Sequence, residues 1–205
     1  WKVSREEQDE FALRSQTNYK SAWQAGKFKD EIVSFSVPHP KSEPVVFGTD
    51  EQPRETSLEK LAALKPAFRE GGSVTAGNSS GINDGAAASL IVSEDILKQG
   101  KTSPIARIVA MAVAGVDPAF MGVGPVPAVR KVLKRAGLKT SDIGLIELNE
   151  AFASQSLACI RDLDLNPDIV NVNGGSIAIG HPLGCSGVRI PATLLHEMKR
   201  RKVKY

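Results

Sequence analysis

One histidine sits among five glycines and a proline in the stretch Asn173-Gly174-Gly175-Ser176-Ile177-Ala178-Ile179-Gly180-His181-Pro182-Leu183-Gly184-Cys185-Ser186-Gly187. A loop of that composition bends sharply and lets other groups approach its backbone. An imidazole held there titrates near neutral pH, so it can move a proton or donate to a developing negative charge. A second pair, Asn149-Glu150, breaks an apolar run. Asn149 can donate and accept without changing charge, which suits holding a water or a carbonyl oxygen. Taken singly, Asn149-Glu150 also reads as a helix cap and His181 as a hydrogen-bonded loop residue. Cys185 stands four residues after His181, a tempting nucleophile, but that spacing alone does not bring a thiol to the ring. Cys185 reads as packing, Cys159 as core, His39 and His196 as solvated, and Met121 as core. No GxxxxGK[ST] is present, and Pro127 occupies the last glycine position of a dinucleotide fingerprint begun by Gly122 and Gly124.

The elements that must position these residues follow from periodicity. Ser4-Arg5-Glu6-Glu7 has the form of a capping box, and Phe11, Ala12, Ser15, Tyr19, Ala22 and Trp23 recur at helical spacing before Gly26, a C-cap. A short strand is expected over 31–37, ended by Pro38-His39-Pro40, then a loop over 41–57 and a short helix over 58–64. A turn-rich loop, Val74 to Gly85, runs into the apolar stretch 86–92, read as a buried strand. Residues 105–114 form a second apolar segment. Helices are expected over 128–136, 151–163 and 186–201, with strands over 143–148 and 169–172. The Asn149 and His181 loops then both fall at strand-to-helix junctions, where ligands collect in layered α/β folds. The change from polar, loop-rich residues 1–72 to βα alternation marks a boundary between the seventies and nineties.

Composition bounds the class. The chain has 205 residues, 41% hydrophobic and 24% charged, ordinary for a globular protein with a sizeable core. No apolar run suits a membrane span, and the two cysteines lack the spacing of a zinc site or disulfide framework, so a reducing, cytoplasmic setting without metal is expected. The chain opens on Trp1 with charged residues behind it and carries no secretory signal; an upstream segment or an internal position in a longer protein is expected. Five of the 26 basic groups lie in the last seven residues, so the net charge of +3 is local. Such a tail can bind nucleic acid or anionic lipid, or it can complement a helix C-terminus, the reading preferred here.

Four stretches together carry a resemblance: Val74-Thr75-Ala76-Gly77-Asn78-Ser79-Ser80-Gly81, Met121-Gly122-Val123-Gly124-Pro125, Asn149-Glu150-Ala151-Phe152 and Gly180-His181-Pro182-Leu183-Gly184. In order and spacing they resemble the thiolase family, over the whole chain. The resemblance implies an α/β fold of layered βαβαβ halves, here incomplete. Residues 1–82 would belong to a loop domain, 83–103 to the end of the N-terminal half and 104–205 to most of the C-terminal half, lacking its last strands. It implies acyl transfer between 3-oxoacyl-CoA and CoA through a cysteine acyl-enzyme, of the β-oxidation type in preference to a biosynthetic acetoacetyl-CoA enzyme. CoA would be a co-substrate, with no cofactor. The catalytic histidine would be His181, and Asn149 would hold a water that completes an oxyanion hole. CoA-binding positions would fall at Arg54, Ala67, Phe68, Ala76, Ser80, Met121, Ala151 and Phe152. The family's nucleophilic cysteine would lie upstream of Trp1 and its second cysteine just beyond Tyr205; neither Cys159 nor Cys185 matches. The segment alone is therefore expected to be inactive, and the intact protein to be a homodimer or homotetramer. A non-catalytic acyl-CoA- or lipid-binding relative is the alternative, though it would not need His181 and Asn149.

Overall fold

The computed structural model describes residues 1–100 and 102–205. Position 101, within the stretch 83–103 assigned to the end of the N-terminal half, lies outside the described residues. Helix α1 (Arg5–Gln24) begins where the capping box predicts. The Glu7 amide donates to Ser4 Oγ at 3.1 Å, and the Ser4 amide to Glu7 Oε2 at 2.8 Å. It ends at Ala25, with Gly26 following at φ +68°. Its inner face carries Phe11, Ala12 and Ser15 and packs on α2 (Leu58–Ala62), α5 (Ala153–Asp162) and α6 (Ser176–Ile179). The main core gathers Phe11, Leu61, Val126, Cys159, Ile160, Val170 and Ile177. A smaller cluster of Tyr19, Ala22, Phe28 and Ala178 closes the far end of α1.

Several expected elements differ. In place of a strand over 31–37 and a loop over 41–57, a two-stranded antiparallel hairpin forms, β1 (Phe35–His39) with β2 (Ser42–Phe47), register Phe35 opposite Phe47. Pro38 did not end the strand, because a proline is tolerated at an edge, and the register shifts between Val37 and His39. The stretch 86–92 is neither strand nor buried: Leu90 and Ile91 are 81% and 73% exposed. The segment 105–114 likewise forms no strand, and Ile105, Met111 and Val113 are exposed. Alternation and apolarity mark a strand, but a strand forms only with a ladder partner, and none faces these segments among the described residues. The strands read over 143–148 and 169–172 shrink to one parallel bridge, Ile146 with Val170, closed by the Ile146 amide to Ile169 O and the Asn171 amide to Ile146 O, both 2.9 Å.

Three helices match in kind and shift at their ends. Helix α4 (Pro125–Ala136) starts at its own Pro125, a favoured first helical residue. Helix α5 starts at Ala153. Helix α7 (Leu183–Arg201) starts three residues before the expected 186 and runs through Pro191. A short helix α3 (Glu94–Lys98) and the single turn α6 were not foreseen. The basic tail begins in the last turn of α7 and continues past its end at Arg201. There Arg200 and Arg201 grip the buried Glu197 at 2.8 and 2.5 Å, and Arg200 also donates to Lys27 O at 2.9 Å. Among the described residues no helix is long and apolar enough to cross a membrane.

Candidate active site

Three loops meet through main-chain hydrogen bonds. In the first, Asn78 is wholly buried: its Oδ1 accepts from the Thr75 amide at 2.8 Å, while its Nδ2 donates to Asp9 on α1 at 2.9 Å and to Ser73 O at 3.1 Å. Arg5 holds Asp9 from the other side at 2.8 Å. This fixes the loop 74–81 onto α1. The same loop is sewn to the Asn149 loop, with the Ser80 amide donating to Ala151 O at 3.0 Å and the Ala153 amide to Asn78 O at 2.9 Å. It is sewn to the histidine loop as well, with the His181 amide donating to Gly81 O at 2.9 Å.

The reading of Asn149-Glu150 as a helix cap is overturned. Phe152 occupies the cap position of α5, and no side chain caps that helix. Asn149 instead turns toward the histidine, its Nδ2 3.3 Å from His181 Nε2, while its Oδ1 accepts from Ser176 Oγ at 2.7 Å. The other ring nitrogen, His181 Nδ1, lies 2.7 Å from Ser186 Oγ, and Arg189 donates to Ser176 Oγ at 3.0 Å. Burial, with Arg189 adding to it, lowers the His181 pKa from 6.5, so the ring is neutral at physiological pH and can accept a proton.

Glu150 is the support that sequence reasoning missed. It is 1% exposed and accepts from Ser15 Oγ at 2.6 Å, Asn171 Nδ2 at 2.7 Å and the Ile177 amide at 3.0 Å. Burial nevertheless dominates and raises its pKa. One carboxylate thus ties α1, the Ile146–Val170 bridge region and α6 together directly beneath Asn149. A Cβ on Gly175 would overlap that carboxylate, which explains why the loop needs a glycine there. Gly180, at φ +90°, has Asn83 pressed against the position a Cβ would take. The available signals were the adjacency of Glu150 to Asn149 and the paired glycines; nothing in the linear pattern said that the carboxylate points inward.

The remaining site residues divide. Ala67 is tied to the first loop through its amide to Val74 O at 2.8 Å, and the Phe68 ring meets the Phe152 ring edge-on at 5.9 Å. Ala76, Ser80, Ala151 and Phe152 lie on the two sewn loops, and Ala67 and Phe68 contact them. Phe68 is 74% exposed and Ala76 is exposed, leaving their surface open to a ligand. Arg54 is exposed, its amide donating to Gln16 Oε1 at 3.0 Å; Gln16 in turn donates to Ile177 O. Met121 is 75% exposed on a 3₁₀ turn (Pro118–Val123) packed on α5, so its reading as core is wrong. Cys159 is core, fully buried. Cys185 is buried too, and burial pushes its thiol up, opposite to what a nucleophile needs. His39 is exposed, whereas His196 is half-buried on α7, not solvated. Among the described residues no cluster of three or more His, Cys, Asp or Glu could hold a metal ion.

The fold and the site define a class: an α/β protein whose loops converge on a neutral imidazole paired with a carboxamide. Known proteins place it more narrowly. Residues 1–95 match the family model described as "Thiolase, N-terminal domain", and residues 102–205 match "Thiolase, C-terminal domain". The chain belongs to the thiolase family. It is 52% identical over 204 residues to the acetyl-CoA acetyltransferase of Paracoccus denitrificans, covering 100% of this chain and 52% of that protein. The Pseudomonas aeruginosa protein of the same name is 55% identical over 203 residues, 98% of this chain and 52% of that one. Among solved structures, the acetyl-CoA acetyltransferase of Bacillus anthracis superposes with a TM-score of 0.95 at 51% identity, covering 98% of this chain and 51% of its own. Human mitochondrial 3-ketoacyl-CoA thiolase follows at 0.90 and 48%, over 98% of this chain and 51% of that one. The chain spans about half the length of the curated relatives it matches. The α/β thiolase fold expected from the motifs is therefore its fold.

Proposed function

We propose that this chain carries the proton-accepting and oxyanion-binding half of a thiolase site, and that the thiols it serves lie outside residues 1–205. The observation that carries the reading is the Asn149–His181 pair at the point where the three loops meet. In the intact protein, His181 Nε2 would take the proton of a nucleophilic cysteine, whose sulfur would attack the carbonyl carbon of a 3-oxoacyl-CoA. Scission between the α- and β-carbons leaves the acyl group on sulfur and an acetyl-CoA enolate, whose α-carbon would take a proton from the family's second cysteine. The thiol of a new CoA would then give its proton back to that cysteine and accept the acyl group, so that acetyl-CoA and a shortened acyl-CoA leave and the first cysteine recovers its proton from His181. The protonated imidazole, together with a water held by Asn149, would stabilise the enolate-like oxygen, whose charge needs donors already in place.

Ala67, Phe68, Ala76, Ser80, Ala151 and Phe152 would line the path of CoA, with small residues at 76 and 80 admitting its pantetheine arm. Arg54 would face the phosphates, and Met121 would be a further CoA-binding position. The reaction would be of the degradative, broad-chain type. The names of the bacterial relatives, acetyl-CoA acetyltransferases, favour a second reading, the acetoacetyl-CoA enzyme. Relative rates on acetoacetyl-CoA and a long-chain 3-oxoacyl-CoA separate the two. CoA acts as co-substrate without a further cofactor, and the intact subunit associates with itself as a dimer or tetramer. The division into 1–82, 83–103 and 104–205 is part of the proposal; the two family-domain matches end at 95 and begin at 102, inside its middle piece.

The test is thiolysis of acetoacetyl-CoA by the purified 205-residue chain. No turnover is expected. Turnover that Cys185→Ser abolishes would overturn these roles.

A further inference from the structure

Five side chains, His181 among them, form one directed hydrogen-bond chain, and its direction follows from donor chemistry. Arg189 can only donate, and it donates to Ser176 Oγ at 3.0 Å. Ser176 is wholly buried, so its single hydroxyl hydrogen must find an acceptor, and the Asn149 side chain lies 2.7 Å away. If the Asn149 amide were turned over, its NH₂ would face Ser176. That oxygen would then receive two donors while its own hydrogen had no acceptor among the hydrogen-bond partners it has. Asn149 therefore presents Oδ1 to Ser176 and Nδ2 to His181 Nε2, at 3.3 Å. A nitrogen that faces an N–H must offer a lone pair, so Nε2 carries no hydrogen in the neutral ring. The hydrogen sits on Nδ1 and points at Ser186 Oγ, 2.7 Å away, while the Ser186 hydroxyl has its own acceptor in Pro182 O at 3.2 Å. Every link is satisfied in this one direction.

We infer that Ser176, held by Arg189, is a positioning residue that sets the Asn149 amide and through it the tautomer of His181, with Nδ1 protonated and Nε2 free. The inference deepens the thiolase reading, since a free Nε2 is what lets the ring take a proton first and donate it later. Its test needs no turnover, so the two can fail separately.

The measurement is long-range ¹H–¹⁵N correlation NMR on the 205-residue chain with ¹⁵N-labelled histidine, at a pH above the ring's titration, His181 being assigned by its loss in H181Q. The expected spectrum has a pyrrole-like Nδ1 and a pyridine-like Nε2. In S176A the preference is lost, Nε2 moving toward the protonated position, and in S176T, which keeps the hydroxyl, it returns. Should S176A not fold, S176C, which keeps the volume with a weaker donor, is read in its place. A pyridine-like Nδ1 in the unaltered chain overturns the inference. So does a His181 pattern that S176A or its substitute leaves unchanged, since a merely structural Ser176 would not move it.

Discussion

At the scale of single residues, catalysis would depend on two groups that do different things. His181 changes charge during the cycle, whereas Asn149 stays neutral and holds the water that faces the oxyanion. In a complete protein containing this chain, Asn149→Ala should lower kcat by about 10²–10³-fold, as for loss of one oxyanion donor. His181→Ala should cost at least as much, because it removes both base and donor, and steady-state thiolysis checks both. Cys185→Ser should leave the rate unchanged. The pH profile carries a sign: burial, then Arg189, lowers the His181 pKa from 6.5. The acid limb of kcat/KM should therefore fall below pH 6.5, and an Arg189→Gln variant that still folds should move it upward. The histidine loop stood out in the sequence because glycine and proline density is a local property. Asn149, 32 residues away in sequence, stood out as the polar break after an apolar run and through the family motif that carries it, but Glu150, which holds the frame, has no local signature of burial.

At the scale of elements, the loop 74–81 is the hub, since it bonds to α1, to the Asn149 loop and to the histidine loop. Asn78→Ala would leave the Thr75 amide, Ser73 O and the buried Asp9 each short of a partner, a loss of about 2 kcal/mol or more in chemical unfolding. Helices were readable because their caps and periodicity are written within a few residues: the capping box at Ser4 opens α1, and Gly26, at φ +68°, follows its end. Strands were not, because pairing is non-local. The segments 86–92 and 105–114 have strand composition without a ladder, while the Phe35–Phe47 hairpin formed where Pro38 argued for a break. The end of α7 shows how burial and charge combine. Burial would raise Glu197, but Asn173, Arg201, Arg200 and Lys27 together bring it down to about 2. That contribution to stability is complete above the ordinary value of 4.5 and is lost as pH falls toward about 2.

At the scale of the whole molecule, two properties follow from what is buried and what is not. Glu147 is pushed up to about 8 by burial, against the pull of Arg189. Its protonated form is favoured in the folded state, so its stabilising contribution is full below pH 4.5 and disappears as pH rises through about 8. Glu147→Gln should therefore melt higher than the unaltered chain above pH 8, and scanning calorimetry across that range checks it. The second property is exposure. Ile82, Leu90, Ile91, Ile105, Met111 and Val113 are each at least 65% exposed, an apolar surface that solvent tolerates poorly. The isolated chain should bind a hydrophobic dye and self-associate with rising concentration, and Leu90→Ser with Ile105→Ser should reduce both, as seen by sedimentation velocity.

The central claim, that these residues supply the histidine–asparagine half of a thiolase site and not its thiols, is tested most directly by grafting. Residues 1–205 would replace the matching half of the Paracoccus denitrificans acetyl-CoA acetyltransferase, and thiolysis of acetoacetyl-CoA would be measured for the graft, its His181→Ala variant and the 205-residue chain alone. The account predicts turnover by the graft, its loss in His181→Ala, and none from the chain alone. An active graft that His181→Ala does not slow would contradict it.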